Sequence, residues 1–396
     1  MKKIALIVQR YGLAVNGGAE LHCRILAEQL RSSYDVEVLT SCAKEYTTWA
    51  NAYPEGPSEV NRIKLKRFAV PYERNPVKSR RLFKKMRLNR IFPFYGNAQV
   101  LAEEWSKQQG PYLPGLISYL KAHEKDYDAL IFFTYLYYPT FCGLRVAPHK
   151  SILIPTAHDE SAIHLPAYKE FFKLPAAILY NTLSEKKLVN RLFNNEEIYS
   201  DIVGVGMDEV AEKDIPVAAE ILGSEDRYLI YIGRIDAGKG CELMLDYFLK
   251  YKKLTGHQLK MVLLGKSFMK ITEHPDVIYL GFVEEDIKRA LLKQAEALIM
   301  PSYYESLSLV TLESMQLGVP VIVNARSEVL KDHVENSGAG YAFTSFPGFK
   351  FAVDEVLNNE QMLGLMRLKA KKYVNDHYNW KLVLHKIEKA VTAISG

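Results

Sequence analysis

Cysteine is scarce: four residues in 396, Cys23, Cys42, Cys142 and Cys241, each far from the others. With no Cys-x-x-Cys pair and no dense Cys/His cluster, neither a zinc site nor a disulfide framework is supported, and a reducing, cytoplasmic setting is expected. Long apolar runs are missing too. Ile4–Val8 is shorter than a secretory core and is stopped by Gln9 and Arg10, while Ala129–Leu144 is broken by Pro139 and falls short of the roughly 20 residues a spanning helix needs. There is no short-period repeat and no G-x-G-x-x-G, which argues against a nicotinamide dehydrogenase. Charge of one sign is not in large excess: 51 basic against 46 acidic residues leaves +5, too mild to argue for a nucleic-acid binder. Glycine (23) and proline (17) are scattered, and 48% of residues are hydrophobic, so disordered and low-complexity classes drop away.

What is present is a repeated strand-then-helix text. Ile4–Val8 reads as a strand buried on both faces; Gly17-Gly18 turns into a stretch with Leu21, Ile25 and Leu30 near helical spacing; Val36–Leu39 supplies the next strand. Apolar runs at Ala129–Phe133, Ile152–Ile154 and Ala177–Leu179 extend the same parallel sheet. After a connector at Asp201–Val210 the pattern restarts with strands Tyr228–Ile232, Lys260–Leu264, Val277–Tyr279, Ala297–Met300 and Val319–Val323. Helices are expected about Cys241–Tyr251, Ile287–Gln294 and Leu309–Gln316. The fold class is α/β: two doubly wound, Rossmann-like domains, expected to face a central cleft and to bind ligands outside the carboxyl ends of their strands. The boundaries read as 1–205 and 206–379, with a last segment at 380–396.

The sharpest local text is YIGRIDAGKG, Tyr231–Gly240. A strand ends in Gly233 and turns through Arg234 and Lys239 toward a helix, a combination suited to a diphosphate: backbone amides, a helix N-terminus and two cations. A Walker A loop is disfavoured because Gly240 stands where Ser or Thr would bind magnesium; a solvated surface turn is the plainer alternative. In PSYYESLSLVTLESMQLG, Glu305 falls in a loop and Glu313 on the following helix, with the amides of Leu307, Ser308 and Leu309 at its start. Taken alone, this pair reads as a capping carboxylate and a solvated helix face as readily as a sugar-hydroxyl site. His158, beside Asp159 after the strand Ile152–Ile154, is either a site residue or a hydrogen-bonded structural one. Gly17 and Gly18 equally suit any tight turn that needs positive φ.

Together these segments resemble the retaining nucleotide-sugar glycosyltransferases of family 4, whose fold is called GT-B. The resemblance covers nearly the whole chain: Gly17-Gly18-Ala19-Glu20, His158-Asp159, Gly233-Arg234 with Lys239-Gly240, and the Glu305/Glu313 pair before Gly318-Val319-Pro320. It implies that Arg234 and Lys239 hold the donor diphosphate, Glu305 binds hydroxyls of the transferred sugar, Glu313 binds the ribose, and His158 touches the sugar near the reacting carbon. Gly17 and Gly18 would let their loop close over donor and acceptor. It also implies no metal and no cofactor beyond the nucleoside-diphosphate sugar itself, with a glycan or lipid-linked glycan as acceptor. The text departs from the family where Ser306, Leu307 and Ser308 replace common glycines and where Lys266 and Ser267 follow Gly265. The rivals are a sugar-nucleotide-binding regulatory protein and a non-transferase enzyme of the same fold, such as an epimerase or a phosphorylase.

One charge bias is strong. Between Arg62 and Arg90 stand Arg62, Lys64, Lys66, Arg67, Arg74, Lys78, Arg80, Arg81, Lys84, Lys85, Arg87 and Arg90 against Glu73 alone. With Leu82, Phe83, Met86, Leu88, Ile91, Phe92 and Phe94 interleaved, it reads as a basic amphipathic segment for anionic headgroups or a lipid-diphosphate acceptor, at the inner face of a membrane. No nucleic-acid partner is expected. At the C-terminus, Trp380, Leu382, Val383, Ile387, Ala390 and Val391 mark one packed helix face, and the resemblance to GT-B enzymes implies that this helix, 380–396, crosses back to the first domain.

Overall fold

Strands with no polar residue must be covered on both faces, and the sheets are built accordingly. The computed structural model describes residues 1–91, 97–208, 217–222 and 226–395. The chain divides into two units, Met1–Gly206 with Trp380–Gly396, and Met207–Asn379.

The first unit carries an eight-stranded sheet of β1 (Lys3–Ile7), β2 (Asp35–Ser41), β3 (Gly56–Val60), β4 (Ile63–Phe68), β5 (Ala129–Phe133), β6 (Ser151–Ile154), β7 (Ala177–Tyr180) and β8 (Tyr199–Ile202). Their order is β3-β4-β2-β1-β5-β6-β7-β8, parallel except for the antiparallel β3–β4 pair. Successive residues alternate between two cores. Leu130 and Phe132 of β5 pack on one face with Trp49, Trp105 and Phe171. Ala129, Ile131 and Phe133 pack on the other with Leu26 of the Gly18–Leu30 helix and Val383, Ile387, Ala390 and Val391 of the Trp380–Ser395 helix.

The second unit holds six parallel strands in the order β11-β10-β9-β12-β13-β14: β9 (Tyr228–Ile232), β10 (Lys260–Leu264), β11 (Val277–Gly281), β12 (Ala297–Met300), β13 (Val321–Asn324) and β14 (Gly340–Phe343). Register is direct, with Val262 of β10 beside Ile230 of β9 and Leu298 of β12 on the other side of Ile230. Helices Cys241–Thr255, Glu285–Gln294, Leu309–Gln316, Glu328–Ser337, Phe346–Asn358 and Glu360–His377 are wound between and after these strands.

Two sequence expectations are corrected. The connector starts later than Asp201, because Asp201 and Ile202 end the polar, half-exposed edge strand β8; Glu209 and Val210 lie outside the described residues. The basic stretch is not one amphipathic element. Ile63–Phe68 forms β4, in which Ile63 and Leu65 point inward, while Lys64 pairs with Asp35 at 2.9 Å and the Lys66 ammonium sits 4.3 Å from the Tyr119 ring centre. Arg67 is buried, donating to the Tyr11 and Ser41 carbonyls at 2.9 and 3.2 Å over the Tyr53 ring, and Arg74 donates to Gln109 Oε1 at 2.6 Å. Only the Pro76–Ile91 helix presents a cationic face, of Lys78, Arg80, Arg81, Lys84, Lys85 and Arg87, opposite buried Ser79, Met86 and Asn89. Phe92 and Phe94 lie outside the described residues, as do the side chains of Arg90 and Ile91.

Candidate active site

The carboxyl edge of the second unit's sheet is drawn together by glycines. Gly265, just past β10, has φ +121°, and a Cβ there would stand 2.1 Å from the Gly233 carbonyl oxygen just past β9. Gly240, at φ +76°, would drive a Cβ to 2.3 Å from the Pro301 carbonyl past β12. The exits of three neighbouring strands therefore touch backbone to backbone, which only glycine permits.

On this edge Asp236 organises the two cations. One of its oxygens accepts the Arg234 Nε–H, and the other accepts the Lys239 backbone N–H at 2.8 Å, capping the short turn Ala237–Lys239. The Arg234 carbonyl is pinned by the buried Tyr231 hydroxyl at 2.7 Å. Lys239 Nζ then reaches Glu305 Oε1 at 2.6 Å, joining residues from the loops after β9 and β12. Arg234, Asp236, Lys239 and Glu305 so form a row of alternating charge, with Arg234 the most exposed of them at 41% of its side chain.

Glu313 does not join that row. It lies on the Leu309–Gln316 helix, and its carboxylate accepts from Lys288 of the Glu285–Gln294 helix at 3.0 Å; Lys288 also pairs with Glu285 at 2.7 Å. Burial pushes the Glu313 carboxyl above its ordinary value, with Lys288 pulling against it. The Leu307–Leu309 turn is clamped from behind. The Leu307 carbonyl accepts from His333 Nε2 at 2.7 Å, and the other ring nitrogen faces the Tyr373 hydroxyl at 3.1 Å. Burial lowers the His333 pKa, so the imidazole is neutral, with its proton on Nε2 and Nδ1 accepting from Tyr373. Ser308 caps the helix in the left-handed region at φ 62°, its hydroxyl 2.8 Å from that of Thr311.

In the first unit, Gly17 corrects a sequence expectation. Its backbone is extended, and glycine is needed because a Cβ would meet the Glu20 carboxylate at 2.1 Å; Gly18 opens the helix with free space around it. Glu20 is turned back by buried Arg10, whose Nε and Nη2 donate to it at 2.9 and 2.5 Å while Nη1 takes the Lys44 carbonyl at 2.8 Å. His158 lies in the loop after β6 with Nδ1 3.9 Å from Glu160, and Glu160 accepts from the Tyr135 hydroxyl at 2.7 Å. Asp159 instead pairs with His164 at 2.6 Å. Sequence reasoning missed Asp236, Lys288, His333 and the Arg10–Glu20 pair. The first three had a faint signal, being polar residues beside glycine turns or on helices flanking the loops already singled out.

Two Rossmann-like α/β units, the second with cations and carboxylates gathered at its strand ends, are the architecture of the GT-B fold. Residues 215–376 match the family described as glycosyl transferases group 1. The chain is 25% identical to an uncharacterised glycosyltransferase of Methanocaldococcus jannaschii, over 96% of this chain and 95% of that protein. Its fold is similar to that of sucrose-phosphate synthase from Thermosynechococcus elongatus, with a TM-score of 0.71, 15% identity and 98% of each chain covered. It is also similar to an Anabaena protein in complex with UDP-glucose, with a TM-score of 0.69, 13% identity and 99% and 100% covered. The resemblance to group 1 glycosyltransferases thus extends to a family match across most of the second unit and to a relative along nearly the whole chain.

Proposed function

We propose that the chain is a retaining, metal-independent glycosyltransferase that moves a hexose from a nucleoside-diphosphate sugar to a glycan or lipid-linked glycan. The observation that carries this reading is the row Arg234–Asp236–Lys239–Glu305 at the exits of β9 and β12. Breaking the glycosidic bond builds negative charge on the departing diphosphate, and two fixed cations aimed at that charge lower the barrier without a metal ion. Glu305, held by Lys239, accepts from hydroxyls of the hexose beside them, and Glu313 accepts from the ribose. His158 is assigned to the transferred sugar on the family resemblance alone. Retention follows from front-face attack in which the leaving phosphate helps remove the acceptor proton, as the family resemblance implies.

The test is a panel of UDP-, GDP-, ADP- and dTDP-sugars, with thermal shift and hydrolysis or transfer measured in the presence of a chelator. A selective shift with turnover, abolished in Arg234→Ala, is the expected result. Binding without turnover favours the regulatory alternative, and activity restored only by added divalent cation overturns metal independence.

The helix Pro76–Ile91 supports a second element of the reading, contact with an anionic membrane surface where a lipid-linked acceptor resides, since all six of its cations from Lys78 to Arg87 are exposed. No helix among the described residues is long and apolar enough to cross a membrane. Co-sedimentation with phosphatidylglycerol vesicles is expected to fall when Arg80, Arg81, Lys84 and Lys85 are neutralised together; unchanged binding refutes the contact.

A further inference from the structure

Glu185 is 1% exposed and makes no ion pair among the described residues. It stands in the first turn of the helix Leu183–Phe193, which Thr182 caps by accepting the Glu185 backbone N–H at 3.2 Å. A Thr-x-x-Glu arrangement turns the carboxyl group back onto the helix start, where one of its oxygens accepts the N–H of Asn181, the residue before the cap, at 2.6 Å. It does not account for the other. That oxygen accepts the backbone N–H of Ala157, which is itself buried and immediately precedes His158.

The segment Glu185 grips is strained. Thr156 has φ 49°, and Thr134, at the exit of the neighbouring β5, has φ 62°. The left-handed region disfavours β-branched residues, at a cost of roughly 1–2 kcal/mol each. Here two lie side by side, joined by a hydrogen bond between their hydroxyls at 3.1 Å. The Thr134 and Tyr135 amides donate to the Ile154 and Pro155 carbonyls, both at 3.0 Å, so the two strand exits are strapped together. Strain of this kind persists only where the surroundings impose it, and a carboxyl group is an expensive side chain to bury for packing alone.

We propose that Glu185 is a positioning residue: its carboxyl group bridges the exits of β6 and β7, holds Thr156-Ala157 in the strained turn, and so sets the direction in which His158 leaves the sheet. This rests on the reading of His158 as a residue that meets the transferred sugar. Glutamine at 185 keeps one acceptor oxygen and loses the other, so it satisfies one of the two amides and leaves the second without its partner.

The experiment measures hydrolysis of whichever UDP- or GDP-sugar in the panel is turned over, by wild type, Glu185→Gln, His158→Ala and the double variant. Hydrogen exchange is followed in peptides spanning 155–160. Glu185→Gln is expected to lower kcat about tenfold or more with KM within about twofold, a loss typical of a misplaced group, and to add nothing to the loss in His158→Ala. Exchange at Ala157 should rise while β6 and β7 stay protected. Losses that multiply in the double variant, or full activity in Glu185→Gln beside an impaired His158→Ala, overturn the proposal alone. A fully active His158→Ala overturns both it and the reading of His158. Unchanged exchange at Ala157 overturns it whatever the turnover. Thr156→Gly relieves the strain but leaves the bond from the Ala157 N–H to Glu185 in place, so kcat and exchange at Ala157 should stay near wild type; a tenfold fall in kcat there assigns the setting of His158 to the Thr134–Thr156 hydroxyl pair and refutes the proposal.

Discussion

Arg234 and Lys239 come from one turn but are held by different partners, Arg234 by Asp236 and Lys239 by both Asp236 and Glu305. Replacing either cation with alanine is expected to reduce turnover by about 10²–10³-fold, the loss seen when one preorganised donor to developing charge is removed. Steady-state kinetics with a saturating donor checks this, and wild-type kcat in either variant rejects the assignment. The two differ in stability. Lys239→Ala leaves the largely buried Glu305 without its cation, so its Tm should fall below that of Arg234→Ala. Glu185 gives a prediction of another kind. Burial pushes its pKa from 4.5 to about 8 against the pull of the Asn181, Ala157 and Thr182 amides. Between those values the folded state retains a proton the unfolded chain has released, so stability falls as pH rises through the window, by at most about 1.4 kcal/mol per unit. Urea unfolding at pH 5, 6.5 and 8 should show Glu185→Gln gaining on wild type as pH rises; a difference independent of pH contradicts the shift. These residues show what a sequence can carry. Arg234, Lys239 and Glu305 were legible because each stands at the end of an unmistakable strand. Lys288 and Glu185 were not, because each reaches a partner on another element that no local spacing reveals, and Asp236 was passed over although both its partners lie within three residues of it.

At the scale of elements, strands buried on both faces were plain to read. Ala129–Phe133, Tyr228–Ile232, Lys260–Leu264 and Ala297–Met300 have the bounds their apolar runs suggest. The polar elements were hidden. β8 is half exposed along its length, and the β3–β4 hairpin turns through Asn61 and Arg62 at φ 50° and 63°. Two successive positive φ values make the tight turn that Asn-Gly usually announces, and arginine at the second position gives no such warning. Counting cations across that hairpin and the next helix merged two elements into one. The loops at the strand exits yield the prediction at this scale. Gly240→Ala must both hold a left-handed residue and part the β9 and β12 exits, because its Cβ meets a backbone carbonyl that cannot swing aside. A cost on the order of 3 kcal/mol is expected. The displaced turn carries Lys239, so donor-induced thermal shift should be lost along with part of the Tm. A variant that still shifts with donor as wild type does would place the diphosphate elsewhere.

At the scale of the whole molecule, the chain leaves its first unit at Gly206 and re-enters it at Trp380. The re-entering helix is no appendage: Val383, Ile387, Ala390 and Val391 are fully buried among Ile4, Leu6, Ile152 and Ala177, so the first sheet has one face incompletely covered until the last residues are in place. Where the two passes of the chain meet there is no slack, since a Cβ on Gly206 would stand 2.2 Å from the Trp380 ring. Next to it, within the second unit, the Met207 N–H donates to the Tyr378 carbonyl at 2.7 Å. Gly206→Ala must therefore push the indole away from the core that the helix completes, an overpacking worth roughly 1–3 kcal/mol. The sequence supplies the probe. Its three tryptophans, Trp49, Trp105 and Trp380, all lie in the first unit, so intrinsic fluorescence follows that unit alone. For a unit of this size the loss corresponds to a fall of about 3–10 °C in the fluorescence-detected Tm. The second unit's own contacts are untouched, so circular dichroism should resolve a later transition that keeps its wild-type midpoint. If both midpoints fall together by the same amount, the two units unfold as one cooperative body, and the junction at Gly206 transmits the strain rather than containing it.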